Sequence, residues 1–221
     1  MLYNIILFGD LMNKKKLILF DLDSTLIENE TIDEFAKITG VENEVKEITK
    51  DAMNGKLNFE QSLKKRVALI KGAPTSKIKE AVSTFKLTEG AKETIEELKN
   101  RGYIVGVVSG GFTVATDKIK EMLGLDYAYS NNLIENDGIL TGEVNGVMME
   151  EQAKGKMLKE LAKRENIDLK DTVVVGDGAN DLSMFKVAGF KIAFCAKDIL
   201  KKNADICIEK RDLREILKYI E

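Results

Sequence analysis

Four consecutive large apolar residues, Leu17-Ile18-Leu19-Phe20, run directly into Asp21-Leu22-Asp23-Ser24-Thr25. So short and uniformly apolar a run predicts a strand buried on both faces, and such strands belong to parallel sheets covered by helices. Asp21 and Asp23 then stand at the carboxyl end of that strand, where the loops of an open α/β sheet converge on one crevice. Alternate residues of an extended chain point the same way, so both carboxylates can face one cavity. They repel each other and resist desolvation unless a cation lies between them, which makes Mg²⁺ the economical occupant. Ser24 and Thr25 offer hydroxyls for local backbone bonds as the chain turns away. Taken alone, these residues also fit a strand that simply ends in acidic turn residues.

The same pattern returns twice. Tyr103 to Val108 reads as a buried strand ending in Ser109-Gly110-Gly111, and Thr172 to Val175 as another ending in Gly176-Asp177-Gly178-Ala179-Asn180-Asp181. Shorter strand signals lie at Asp126 to Ser130, Ile192 to Phe194 and Ile206 to Ile208. Leu133-Ile134-Glu135 and Ile139-Leu140-Thr141 flank Asn136-Asp137-Gly138, a hairpin turn. Helical stripes fall between them, at Ala91-Ile95-Leu98, Ala115-Ile119-Leu123 and Met157-Leu158-Leu161, with a closing helix from Leu213 to Ile220. Alternation of this kind predicts an α/β fold with a doubly wound, Rossmann-like parallel sheet.

Between the first two strands the periodicity is helical throughout, at Phe35-Ala36-Ile38, Val45-Ile48-Met53, Phe59 to Ile70 and Ile78 to Phe85. A direct crossover needs far fewer residues, so residues 30–87 are expected to form a small helical cap inserted after the first strand. Residues 12–29 and 88–221 then make the core domain. Thr31-Ile32-Asp33-Glu34 has the form of a capping box opening the first cap helix. Met1 to Leu11 is apolar but too short to span a bilayer, and no basic region precedes it; with a second methionine at Met12 leading into the first strand it reads as a dispensable leader, with an extra edge strand as the alternative.

Composition narrows the chemistry by subtraction. The chain has no histidine, which removes Ser-His-Asp triads, Cys-His pairs and His-ligated zinc from within it. A net charge of -3 argues against a general nucleic-acid binder. The two cysteines, Cys195 and Cys207, sit in apolar segments without a Cys-x-x-Cys spacing and read as buried free thiols of a cytoplasmic protein. Carboxylates, hydroxyls, lysines and a hard metal remain. Three strand ends carrying Asp21 and Asp23, then Ser109 and its glycines, then Asp177, Asn180 and Asp181 would assemble an acidic metal pocket beside glycine amides, a place suited to a phosphate. Lys154 adds a fixed positive charge.

These residues resemble the four motifs of the haloacid dehalogenase superfamily of phosphohydrolases: Asp-x-Asp-x-Thr at Asp21 to Thr25, Ser109 after the second strand, Lys154, and Gly-Asp-x-x-Asn-Asp from Gly176 to Asp181. The likeness covers nearly the whole chain from Met12 onward. It implies that Asp21 attacks phosphorus and carries an aspartyl-phosphate, and that Asp23 protonates the leaving hydroxyl and then activates water. It further implies that Asp21, the Asp23 backbone carbonyl and Asp177 hold Mg²⁺, that Asp181 and Asn180 orient that sphere and the phosphate, and that Ser109, Gly110 and Lys154 bind phosphate oxygens.

Val108-Ser109-Gly110-Gly111-Phe112 and Val175 to Asp181 are most similar to the branch that releases L-serine from O-phospho-L-serine at the end of serine biosynthesis. The cap positions matching that branch are Glu30, Met53, Phe59 and Arg66. Glu30 would pair with the substrate ammonium and Arg66 with its carboxylate, a group that the guanidinium fork fits. The expectation is therefore a cytoplasmic Mg²⁺-dependent phosphomonoesterase, monomeric or homodimeric, acting on the small molecule O-phosphoserine without nucleic acid or membrane. Two alternatives share the pocket: a phosphatase of the same superfamily for another small ester or a nucleotide, and a receiver-like phospho-Asp signalling module.

Overall fold

The computed structural model describes residues 15–221; the leader expected at Met1 to Leu11 lies outside them. One seven-stranded sheet runs through the molecule in the order β4-β3-β2-β1-β5-β6-β7. Its strands are β1 (Lys16–Phe20), β2 (Tyr103–Phe112), β3 (Tyr127–Asn136), β4 (Ile139–Gly146), β5 (Thr172–Gly176), β6 (Phe190–Phe194) and β7 (Ile206–Ile208). All neighbours pair in parallel except β3 and β4, the antiparallel hairpin. Asp137 and Gly138 both take positive φ at its turn (51° and 77°), as a two-residue hairpin loop with the strands' own twist demands.

β1 is central, as its uniform apolarity predicts. Leu17 to Phe20 are wholly buried, and the alternation of the strand sends Ile18 and Phe20 into one core layer and Leu17 and Leu19 into the other. Phe20 aligns with Val107 of β2 and Val175 of β5. That register sets the Asp21 end of β1 beside Ser109 on one side and Asp177 on the other.

Four helices fill the segment between β1 and β2: α1 (Thr31–Thr39), α2 (Glu42–Met53), α3 (Phe59–Leu69) and α4 (Thr75–Ser83). The chain leaves and re-enters at one place, through an antiparallel bridge of Ile27 with Leu87 and a bond from Glu28 N to Lys86 O (2.9 Å). A second attachment joins α3 and α4 to the hairpin through Gly72 N to Leu140 O and Leu140 N to Ala73 O, both 2.9 Å. Phe35 of α1 stacks on Phe85 and on Phe112 of β2, so the apolar interior of the insertion is continuous with one face of the sheet. Burial of a phenylalanine such as Phe35 stabilises by roughly 2–3 kcal/mol. The remaining helices are α5 (Ala91–Asn100), α6 (Thr113–Leu123), α7 (Ala153–Glu165), α8 (Leu182–Phe185) and α9 (Asp198–Lys201).

Three local expectations are corrected. Thr31 and Glu34 form no capping box: α1 starts without a side-chain cap, and the Thr31 hydroxyl is drawn away to Asp23. The closing element is a 3-10 helix, Leu213–Lys218, opened by the Asp212 carboxylate, which accepts from Arg214 N. The thiols are not both buried, since Cys207 is exposed and Cys195 half-buried; Cys207 lies on β7, the edge strand, and Cys195 just past the end of β6 beside it.

Candidate active site

The turn after β1 is tight: Ile27 N bonds to Leu22 O (3.1 Å) around a left-handed Ser24 (φ 57°). Asp21 is buried, and its carboxylate is bonded on both oxygens. Oδ1 accepts from Leu22 N (2.7 Å) and Lys154 Nζ (2.7 Å), and Oδ2 from Asn180 Nδ2 (3.0 Å). Lys154, near the start of α7 and only 4 % exposed, also reaches Asp181 Oδ1 (2.6 Å). Asp181 Oδ2 accepts from the amides of Asp177 (3.0 Å) and Gly178 (3.2 Å), which pins the loop after β5. Any side chain at Gly176 would fall 2.3 Å from that oxygen, so the close approach demands glycine.

Asp21, Asp177 and Asp181 place carboxylate oxygens within 4.8 Å of one another. Burial works against the charge of Lys154, but Asp181 and Asp21 more than offset it and hold its pKa above the ordinary lysine value. Burial pushes Asp181 up, and Asp21 adds to this while Lys154 opposes it. Asp177 is raised to about 6 by burial and by Asp21, and among the described residues no ion pair or hydrogen bond engages its carboxylate. Three converging carboxylates with one lysine, one of them unpaired and resisting ionisation, are a donor set for a hard divalent cation.

Asp23 Oδ1 accepts from the Thr31 amide (3.2 Å) and the Thr31 hydroxyl. Burial, then Glu30 and Asp21, push the Asp23 carboxyl up to about 8. Its other oxygen faces Gly111, whose amide donates to Ser109 Oγ (2.9 Å). Asn131 of β3 steadies the glycine turn through Nδ2 to the Gly110 carbonyl (3.1 Å). Phe59 of α3 lies over Gly110 so closely that a Cβ there would meet its ring at 2.6 Å.

Above this floor opens a cavity of about 750 Å³, bounded by Asp21, Asp23, Asp177 and Asn180 below and by Glu30, Met53, Phe59 and Arg66 above. Ser109 and Gly110 also line it, whereas Lys154 lines a small adjoining recess. Arg66 bonds through Nε to its own helix at Ser62 O (3.4 Å), leaving its terminal nitrogens unpaired among the described residues. Burial lowers the Arg66 pKa while Asp33, Glu30 and Asp23 oppose the shift. Met53 is 72 % exposed at the rim.

Sequence reasoning missed Thr31 as the partner of Asp23, Asn131 behind Gly110, and Lys197. Lys197 follows β6 at the cavity edge, its amide donates to Asp177 O (2.8 Å), and its charge pulls Asp177 and Glu30 down. Its signal was available: the residue sits just past a fourth strand end, on the same side of the sheet as the other three.

A buried aspartate with a second one two residues on, a buried lysine and an acidic loop on a Rossmann-like sheet define a phosphohydrolase architecture. A family description reading "haloacid dehalogenase-like hydrolase" matches residues 15–189, and the chain belongs to that family. Phosphoserine phosphatase from Methanocaldococcus jannaschii is 68% identical over 208 residues, which are 94% of this chain and 99% of the relative. The phosphoserine phosphatase of Wolinella succinogenes is 53% identical over 205 residues, covering 93% and 100%. A solved phospho-aspartyl intermediate analogue of phosphoserine phosphatase superposes with a TM-score of 0.91 at 68% identity, over 95% of this chain and 100% of that one. A substrate-bound phosphoserine phosphatase complex gives 0.90 at 67%, with the same coverage.

Proposed function

We propose that this chain hydrolyses O-phospho-L-serine to L-serine and phosphate through an aspartyl-phosphate on Asp21. The observation that carries the reading is one cavity with Asp21 and Asp23 at its floor and a carboxylate and a guanidinium, Glu30 and Arg66, at its roof. That roof matches a zwitterionic amino acid, with Glu30 toward the ammonium and Arg66 toward the carboxylate. The relatives named phosphoserine phosphatase support the same substrate.

Asp21 Oδ1 is engaged by Leu22 N and Lys154, so Oδ2, which among the described residues accepts only from Asn180, is the oxygen that attacks phosphorus in line. As its bond to phosphorus forms, the bond to the seryl oxygen breaks, and Asp23 gives that oxygen its proton. Asp23 starts neutral because its pKa is raised to about 8. Ionised by that transfer, Asp23 then takes a proton from the water that attacks phosphorus, and phosphate leaves Asp21. Ser109 Oγ accepts from Gly111 N, which frees its own hydrogen, with the Gly110 amide, for the phosphate oxygens. Lys154 neutralises Asp21 and Asp181 from behind.

Mg²⁺ is the metal proposed, since Asp21, Asp177 and the Asp23 carbonyl offer oxygen ligands and Asp181 is already fixed by Lys154 and two amides. Bound there, it supplies the positive charge that lets phosphate and carboxylates share the floor. Among the described residues no helix is long and apolar enough to cross a membrane; a cytoplasmic enzyme is the reading proposed. The test is phosphate release from phosphoserine, phosphothreonine, nucleotides and sugar phosphates, with Mg²⁺ and with chelator. Preference for phosphoserine that is lost on chelation is expected; activity spread evenly over the esters would remove the substrate and keep the phosphatase.

A further inference from the structure

Ser24 takes the left-handed position of the catalytic turn (φ 57°), a conformation easy for glycine and costly for a residue with a side chain. A glycine would relieve the backbone, so the hydroxyl must serve some other end. It does not bond to the local backbone. Ser24 Oγ donates to Glu30 Oε1 at 2.7 Å, six residues on and among the residues that line the cavity. The rest of Ser24 is equally tied: its amide donates to Asn29 O (3.3 Å), and its carbonyl accepts from Arg211 Nη1 (3.2 Å), which reaches in from the C-terminal segment.

We propose that Ser24 is a positioning residue for substrate recognition: its hydroxyl holds one Glu30 oxygen so that the other is presented to the substrate ammonium, while Arg211 fixes the turn from outside. The inference rests on Glu30 as the ammonium partner. Ser24 follows Asp23 directly, so a single turn holds both the group that protonates the leaving oxygen and the group that reads the amino end. Unaided, Glu30 would be poorly aimed. It is exposed, precedes α1 without capping it, and can sample rotamers that face away from the cavity.

Ser24→Gly separates aiming from backbone fit, because it removes the hydroxyl and suits the φ. Steady-state kinetics would compare phosphoserine with the same ester lacking its amino group, in Ser24→Gly, Glu30→Gln and the double variant. Ser24→Gly is expected to raise KM for phosphoserine about five- to tenfold, below the effect of losing a charged contact outright because the hydroxyl aims Glu30 without touching the substrate, with KM for the des-amino ester and the thermal midpoint unchanged. The double variant should be no worse than Glu30→Gln, since both changes remove one interaction. Wild-type KM in Ser24→Gly beside a raised KM in Glu30→Gln would overturn the inference and leave the Glu30 reading standing. An equal rise on both esters would also overturn it, by assigning Ser24 to the turn alone. No effect of Glu30→Gln would remove the ammonium reading and this inference together.

Discussion

The floor and the roof of the cavity are built on opposite plans. On the floor, Asp21, Lys154 and Asp181 are buried and each carries at least two polar bonds, so their geometry is set before any ligand arrives. On the roof, among the described residues, the Arg66 side chain bonds only to its own helix and the Glu30 carboxylate only to Ser24, and Met53 stands 72 % exposed. Charge that develops during phosphoryl transfer is stabilised only by groups already in place, which explains the rigid floor. Recognition has to admit one zwitterion and release another. Charged groups that keep bonding capacity for a substrate give specificity, because a ligand lacking the matching charge leaves that capacity unsatisfied.

If that contrast is real, floor variants should lose stability as well as turnover and roof variants should lose only affinity. The largest effect is expected from Lys154→Met, which strips the cation from two buried carboxylates. A loss of about 3–5 kcal/mol in denaturant unfolding is expected, together with loss of turnover. Wild-type stability in that variant would break the comparison.

Next is Asp23, proposed as the acid. A group with a pKa near 8 is protonated below that pH, so activity should decline as pH rises through about 8. The Thr31 hydroxyl bonds to the ionised form and lowers that value, so Thr31→Val should move the alkaline limb of the pH profile upward. A limb that stays in place would detach Thr31 from the acid.

Arg66→Ala should raise KM for phosphoserine roughly ten- to a hundredfold, as expected when a charge-assisted bond is lost, and leave KM for an aryl phosphate and the unfolding midpoint nearly unchanged. The smallest change belongs to Met53→Ala, about twofold in KM, because so exposed a side chain has little area to bury. A larger penalty at Met53 would show that the roof closes further over the substrate than its exposure implies.

Much of the floor was legible because it follows from strand ends. Leu17 to Phe20, Tyr103 to Val108 and Thr172 to Val175 are apolar enough to declare buried parallel strands, and the polar residues after such strands have only one crevice to enter. The roof was legible only through family likeness, since charged residues on helices of a chain that is 32% charged carry no signal of their own. Thr31 misled for a related reason. A threonine three residues before a glutamate fits a capping box, and nothing local reveals that a carboxylate eight positions earlier will take its hydroxyl.

The sequence by itself determined the sheet, the helical insertion and the acidic strand ends, because apolar periodicity and turn residues act over a few neighbours. Tertiary structure alone decided the pairings across 159 and 27 positions that join Asn180 to Asp21 and Lys154 to Asp181. It also decided the pKa of Asp23, which reflects burial and the nearby charges of Glu30 and Asp21. Desolvation and charge proximity depend on distances through space, and those exist only once the chain has closed on itself.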